Sequence, residues 1–134
     1  MNDQTFLAQL GTFNNPQEGA MSAPIYTSTA YTYEPSQEDV PTYYSRTGNG
    51  TRDILQDAIA FLERGSRGFA TASGMAAIAL AVESCLMAGD TIVISSDLYG
   101  GTLEYFRDVE SKKLYNVTYA VSEDDLIEKM KDNA

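Results

Sequence analysis

The sequence predicts an α/β chain in which helices flank a sheet of parallel type from residue 53 onward. Two short runs carry this prediction: TIVIS (residues 91–95) has the continuous apolar character of a parallel strand covered on both faces, and NVTYA (residues 116–120) is interpreted as another strand. Segments of helical periodicity surround both runs, and parallel strands require such crossovers. We therefore expect the order helix, strand, helix, strand, helix, strand, helix, with right-handed crossovers.

The first helix and strand of this series follow from local patterns. Five aliphatic residues recur at helical spacing between Asp53 and Gly65, and the glycine ends the run. GFATA (residues 68–72) is interpreted as a short strand. Ser73 is then placed to cap a second helix that ends at Gly89. This helix is almost wholly apolar, so we expect it to be buried against the sheet.

Two further helices complete the predicted order. One covers residues 102–110, after the loop DLYGG, and the last is capped by Ser122. Acidic residues in the first turn of the last helix and lysines in its last turn match the helix dipole. Three strands are too few for a typical complete sheet, so we expect an incomplete one.

Residues 1–52 are predicted to form an extended N-terminal arm, and residues 53–134 the α/β portion. The first 45 residues show no sustained helical period and contain all four prolines. Because so long an arm is uncommon in a compact domain, we expect it to wrap a partner subunit or contribute to a site.

Composition excludes several classes of function. The chain has 19 acidic and 9 basic residues, a net charge of −10 that would repel a nucleic-acid backbone. The sequence contains neither a signal-peptide pattern nor a run of roughly 18 apolar residues that could cross a bilayer. We expect a soluble, cytoplasmic protein without nucleic-acid or membrane partners, and predict no metal site. The single cysteine, Cys85, is expected to pack in the core as a reduced thiol.

Ligands of open parallel sheets bind beyond the carboxyl ends of the strands, which directs attention to two loops. In the first, Ser73, Gly74 and Met75 open a helix, where backbone N–H groups and the positive dipole end can bind a phosphate. An ordinary serine-capped helix start is the alternative interpretation. In the second, Tyr99 precedes two glycines, and its ring could stack on a flat cofactor or be a surface tyrosine in a turn.

A third candidate segment is YSRTGNGTR (residues 44–52). Arg46 offers a fork of donors that suits a phosphate, and Tyr44 would point to the same side of an extended chain. A polar turn before the first helix is the alternative, since Gly-Asn-Gly is a strong turn signal.

Four motifs, PIYTSTAY, YSRTGNGTR, ATASGMAAI and DLYGGT, together resemble the start of one family. This is the Cys/Met-metabolism family of pyridoxal-phosphate enzymes, which includes cystathionine γ-lyase, cystathionine β-lyase, cystathionine γ-synthase and methionine γ-lyase. The resemblance covers nearly all of the chain but about the first third of a family member. It implies an arm plus the first part of the cofactor-binding domain of a fold-type I, aspartate aminotransferase-like enzyme.

The resemblance also implies roles for individual residues. The backbone of Gly74 and Met75 would cradle the phosphate of pyridoxal phosphate, and Tyr99 would stack on its pyridine ring. Tyr44 and Arg46 would reach the phosphate of a neighbouring subunit, which implies a homo-oligomer held by the arm. Tyr99 and Tyr44 are the candidate catalytic residues, as assisting acids or bases.

Two positions depart from the family pattern. Gly50 stands where the family usually has the proline of Gly-Asn-Pro-Thr-Arg, and we expect this to loosen the turn that delivers Arg52. Gly101 stands where methionine γ-lyases typically carry a cysteine, which disfavours that branch.

The implied activity is transsulfuration, by elimination or replacement at the β or γ carbon of a small amino-acid substrate. In the family, the lysine that forms the Schiff base and the aspartate that pairs with the pyridine nitrogen both correspond to positions after residue 134. The lysines of this sequence are instead interpreted as surface charges; they are Lys112, Lys113, Lys129 and Lys131.

We therefore expect this chain alone to bind the cofactor weakly and to be inactive. A separate C-terminal half that carries the lysine is one partner that this implies. A non-catalytic oligomerising or binding module derived from the family is the alternative. The sequence does not distinguish lyase from synthase.

Overall fold

The computed structural model describes residues 3–8, 19, 22–32 and 44–133. It divides into two compact units, residues 1–70 and residues 71–134. The elements in chain order are α1 (Asp3–Ala8), α2 (Gly50–Leu62), α3 (Gly74–Cys85), β1 (Thr91–Ser95), α4 (Gly100–Ser111), β2 (Asn116–Ala120) and α5 (Glu123–Asp132). The predicted division of the chain after residue 52 stays a prediction.

The short helix α1 lies in a segment that was expected to be extended. Its Phe6 is buried, and the ring stacks on that of Phe61 from α2 with centroids 4.3 Å apart. A helix of six residues has little stability of its own, and tertiary contact of this kind supplies what propensity does not. This explains why the sequence pattern alone did not reveal it.

Helix α2 confirms the predicted helix but begins three residues earlier, at Gly50. The side chain of Asn49 accepts hydrogen bonds from the backbone amides two and three residues later, which is the geometry of an N-cap. At the other end the amide of Gly65 donates to the carbonyl of Ala60 at 2.8 Å. Between them Arg64 adopts a left-handed backbone with φ 55°.

Residues 68–72, predicted as a strand, are not one. The amide of Ala70 donates to the side-chain oxygen of Gln56 at 3.0 Å, so a helix side chain takes the place of a strand partner. Gly68 lies so close to α2 that an added Cβ would come within 2.4 Å of the Gln56 carbonyl oxygen. In the part of the chain that the structure describes, the sheet has two strands.

The two strands β1 and β2 are confirmed, and they pair in parallel from Thr91 opposite Asn116 to Ser95 opposite Ala120. Helix α4 forms the crossover between them. Burial is less complete than the sequence predicts, since Ile94 is the buried residue of β1. Around it lies the core of the second unit, in which Ile94, Phe106 and Val109 are buried and Val82, Ile92, Leu103, Tyr105, Tyr115, Val117 and Tyr119 are partly buried.

Helix α3 begins as predicted, with Ser73 as its N-cap accepting from the amide of Ala76 at 3.1 Å. The helix ends at Cys85, short of the predicted stop at Gly89, because Leu86 adopts an extended backbone. The expected burial is wrong: no residue of α3 is buried, and Leu80 is 46% exposed. The two described strands and α4 leave most of this apolar helix uncovered.

Cys85 is exposed, contrary to the expected core position. The cause is the same, since the helix face that carries it has no covering element among the described residues. Its sulfur lies 3.8 Å from the hydroxyl of Ser84. No helix in the described ranges has the length and apolar content to cross a membrane.

Helix α5 confirms the predicted last helix and its cap. The hydroxyl of Ser122 accepts from the amide of Asp125 at 3.2 Å. The Asp125 carboxylate in turn accepts from the amide of Val121 and from the ammonium of Lys129, both at 2.8 Å. Lys129 also donates to the carbonyl of Tyr119, which fastens α5 to the end of β2.

Candidate functional site

Gly74 and Met75 occupy the first two positions of α3. Ser73 caps the helix through the amide of Ala76, so it leaves the amides of Gly74 and Met75 without an acceptor among the described residues. An added Cβ at Gly74 would meet nothing within 4 Å, so the space in front of it is open. The start of α3 therefore presents two free N–H donors at the positive end of the helix dipole.

Tyr99 immediately precedes α4 and is 75% exposed. Its side chain makes no capping hydrogen bond, and the amides of Gly100 and Gly101 have no acceptor in the described part of the chain. The ring lies against Gly101, where an added Cβ would come within 2.7 Å of ring atom Cε1. Glycine at this position thus makes room for the tyrosine ring.

The starts of α3 and α4 are in contact through Thr102. Its hydroxyl donates to the sulfur of Met75 at 3.7 Å, and the threonine is buried, with 6% of its surface exposed. The two loops singled out from the sequence are therefore joined within the second unit. Both loops were expected to follow strands of the sheet, but residues 68–72 form no strand, and the link runs between helices.

Thr102 was missed as a site residue by the sequence reasoning. Its partner Met75 is 27 residues away in the chain, a separation over which local patterns carry no signal. The sequence feature that could have indicated Thr102 is its position as the last residue of the DLYGGT motif.

Tyr44 and Arg46 belong to the first unit. Tyr44 is half-buried and forms an antiparallel bridge with Ala30, and its carbonyl accepts from the amides of Thr47 and Gly48. The segment is therefore a turn, as in the alternative interpretation of the sequence, rather than an extended chain. Within it the guanidinium carbon of Arg46 lies 5.5 Å from the Tyr44 ring centroid, a cation–π contact.

The turn that was expected to loosen at Gly50 is held by the segment around Tyr26. The hydroxyl of Thr51 accepts from the Tyr26 amide at 2.8 Å and donates to the carbonyl of Pro24 at 3.2 Å. The Tyr26 ring lies against Gly50, where an added Cβ would come within 2.6 Å of a ring carbon. Together with the Asn49 cap, these contacts fix the start of α2.

Two lysines take part in helical ion pairs. Lys112 lies 2.6 Å from Asp108, and Lys129 lies 2.8 Å from Asp125. Lys112 follows the last residue of α4, a helix about 18 Å long at 1.5 Å per residue, so its backbone is far from the Tyr99 end. These contacts agree with the interpretation of the lysines as charges at helix ends.

Two tyrosines of the second unit have raised pKa values. Burial raises the pKa of Tyr105, and the Glu83 carboxylate adds to the effect. Burial also raises the pKa of Tyr119, whose hydroxyl donates to Glu110 at 3.3 Å. Both phenols therefore stay neutral well above physiological pH, and we assign them to the packing of the core.

An α/β unit with adjoining helix starts and free amides is a common way of holding a phosphorylated cofactor. The family of Cys/Met metabolism PLP-dependent enzymes matches residues 4–134. The chain belongs to this family. Complete enzymes of the family use pyridoxal phosphate, and the free amides of the second unit are donors that suit its phosphate.

Named relatives agree with this assignment. The chain is 47% identical over 116 residues to the cystathionine γ-synthase/O-acetylhomoserine (thiol)-lyase of Bacillus subtilis. This alignment covers 87% of this chain and 30% of that protein. It is 41% identical over 110 residues to a cystathionine β-lyase of Lactococcus lactis, covering 81% and 29% respectively. The chain thus spans about 30% of the length of these relatives.

Solved structures show the same fold. The chain superposes with a TM-score of 0.87 on cystathionine γ-synthase from Xanthomonas oryzae pv. oryzae in complex with cystathionine, at 30% identity. The match covers 98% of this chain and 34% of the other. The predicted α/β fold class, with an incomplete parallel sheet, is confirmed.

Proposed function

We propose that this chain supplies the phosphate-binding and ring-stacking part of a pyridoxal-phosphate enzyme of transsulfuration. The observation that carries the proposal is the contact of Thr102 with Met75, which joins the starts of α3 and α4. Free amides at both starts and the exposed ring of Tyr99 are the groups that a phosphorylated aromatic cofactor requires.

Each of these residues has a defined task in the proposal. The amides of Gly74 and Met75 bind the phosphate, and the Tyr99 ring stacks on the cofactor ring to orient it. Arg46, exposed and positioned over the Tyr44 ring, adds a cation to the phosphate bound by a second copy of the chain. In the proposal, the hydroxyls of Tyr99 and Tyr44 assist proton transfers.

The cofactor supplies an electron sink for reactions at the α carbon of an amino acid. Relatives named cystathionine γ-synthase and cystathionine β-lyase support a substrate of the cystathionine class, with elimination or replacement at the β or γ carbon.

We further propose that residues 1–134 alone hold the cofactor weakly and do not turn over substrate. The proposed site has no lysine to bind the cofactor covalently, and charge-assisted hydrogen bonds contribute only about 1.5–3 kcal/mol each. A polypeptide that carries the lysine, as part of the same chain or separate from it, would complete the site.

A non-catalytic assembly module is the second candidate. The uncovered apolar surface of α3 favours it, because a helix of this composition needs a covering partner. An uncovered α3 surface is compatible with both the enzyme part and the assembly module. Measurements of cofactor binding and substrate turnover therefore decide between the two candidates.

The proposal is tested by adding pyridoxal phosphate to the purified chain and following the amide resonances of Gly74, Met75 and Tyr99. We expect these to shift with weak affinity, Arg46→Ala to weaken the binding, and Lys112→Ala to leave it unchanged. Failure of the three amides to respond to the cofactor would contradict the proposed site.

Borohydride reduction followed by peptide mapping tests the second half of the proposal. We expect only scattered, substoichiometric adducts on surface lysines and no consumption of cystathionine. A stoichiometric adduct on one lysine, together with turnover, would show that this chain is an enzyme without further parts.

A further inference from the structure

We infer that Thr102 is a positioning residue, which holds the phosphate-binding amides of α3 at a fixed distance from the stacking ring of Tyr99. The inference rests on the proposed function and adds a residue to it. It starts from a buried polar side chain whose hydroxyl bonds to a residue of another helix.

The two donors of Thr102 reach different helix starts. Its backbone amide donates to the carbonyl of Tyr99 at 2.9 Å, which closes the first turn of α4. Its hydroxyl donates to the sulfur of Met75 at 3.7 Å, in the first turn of α3. Thr102 thus bonds to both helix starts, and in the proposed function the bound cofactor contacts both of them.

The chemistry of Met75 explains why such a link would matter. A methionine side chain has three rotatable bonds and adapts its shape readily, so packing alone would fix the position of its sulfur only loosely. The Thr102 hydroxyl lies in the first turn of α4 and bonds to this thioether on another element. Small errors in the placement of a bound group can carry large functional costs.

The test uses pyridoxine 5′-phosphate, which has an alcohol in place of the aldehyde and so cannot react with lysines. Thr102→Val keeps the shape and removes the hydroxyl, while Thr102→Ser keeps the hydroxyl. We expect Thr102→Val to weaken binding about fivefold, the size expected for one lost hydrogen bond, and Thr102→Ser to restore most of the affinity. Thr118→Val, the same change at a half-buried position of β2, is the control and should leave binding unchanged.

A second readout follows the link directly. The methyl carbon of Met75 should shift in the Thr102→Val spectrum but not in that of Thr102→Ser. Met75→Leu should weaken binding by a similar factor, and Thr102→Val should add little on that background, because both changes remove one contact.

The outcomes separate the inference from the proposed function. Wild-type binding that Thr102→Val leaves intact, or a serine variant as weak as the valine variant, would overturn the positioning role alone. A loss of affinity that merely tracks a loss of thermal stability across the variants would also overturn it. Failure of the wild-type chain to bind pyridoxine 5′-phosphate would overturn the proposed function and the positioning role with it.

Discussion

At the start of α4, two neighbouring glycines face different surroundings. An added Cβ at Gly100 would meet nothing within 4 Å, whereas one at Gly101 would come within 2.7 Å of the Tyr99 ring. Gly101 is therefore the position that determines where the ring can lie. A side chain at this position would have to share the space with the Tyr99 ring.

We expect Gly101→Ala to displace the Tyr99 ring, because the ring is the flexible partner in the contact and is largely exposed. The cost in stability should stay below about 1 kcal/mol, as for most surface changes. Ring proton shifts of Tyr99 measure the displacement. Gly100→Ala is the matched control, and a ring that moves equally in both variants would refute the explanation.

Asp125 is the residue whose ionisation the fold controls most clearly. The hydrogen bond from Lys129 and that from the Val121 amide hold the pKa of the Asp125 carboxyl below its usual value. Because the folded-state pKa lies below the unfolded one, ionised Asp125 stabilises the fold at neutral pH. That contribution is lost as the pH falls below about 4 and through the lowered pKa.

The corresponding experiment compares thermal unfolding of the wild type and Asp125→Asn between pH 7 and pH 3. We expect the variant to be less stable at neutral pH and the difference to narrow in acid. Asp124→Asn, at the neighbouring position, is the matched variant, because the hydrogen bonds from Lys129 and the Val121 amide go to Asp125. A stability difference between the wild type and Asp125→Asn that stays constant with pH would contradict the stabilising role of ionised Asp125.

At the scale of elements, Gly68 lies directly against the backbone of α2. A Cβ at Gly68 would clash with the backbone carbonyl of Gln56, which cannot rotate away as a side chain could. Gly65, three residues earlier, has only ordinary contacts, the nearest at 3.7 Å. The two positions therefore form a natural pair for comparison.

We expect Gly68→Ala to destabilise the chain by about 1–3 kcal/mol, as overpacking does, and to weaken the hydrogen bond from Ala70 to Gln56. Gly65→Ala should change stability far less. Denaturant unfolding measures both. Equal losses in the two variants would mean that helix α2 and residues 68–70 are not held together as described.

Elements defined by short-range chemistry could be predicted from the sequence. Ser73 and Ser122 cap α3 and α5 as expected, because a cap is decided within four residues. The parallel strands β1 and β2 were likewise predicted, β1 from its continuous apolar character. The false strand at residues 68–72 had the composition of a strand, but pairing depends on a distant partner that local composition does not reveal.

In the candidate site, too, the sequence reveals local motifs but not long-range contacts. Gly74, Met75 and Tyr99 could be proposed from loop motifs and the family resemblance, and their roles remain predictions. Thr102 could not be proposed, because its significance lies in one long-range contact. Cys85 was misplaced for a related reason: an apolar neighbourhood in sequence indicates burial only where another element covers it.

At the scale of the whole molecule, the described surface is rich in apolar side chains. Each of the following is at least 70% exposed: Ile25, Phe69, Met87, Tyr99 and Val121. Helix α3 adds an apolar surface without a single buried residue. Exposed apolar area on this scale usually marks surfaces that bind other protein.

We therefore expect the purified chain to self-associate, as measured by light scattering over a range of concentrations. Leu80→Glu, on α3, should reduce association, because a charge there opposes burial of the apolar helix. Leu55→Glu is the control, since that residue is similarly exposed (48% against 46%) but lies on α2. A wild-type chain that stays monomeric at high concentration would contradict the expectation.

The contact between the starts of α3 and α4 also has an energetic consequence for the chain. Each helix start carries a partial positive charge of about half an electron unit, and the side chains of Met75 and Thr102 link the two starts. An anion bound at these starts would be stabilised by them, which couples folding to the anions in solution. Melting in phosphate should occur at a higher temperature than in chloride of equal ionic strength, so that the buffer acts as a partial substitute for the cofactor.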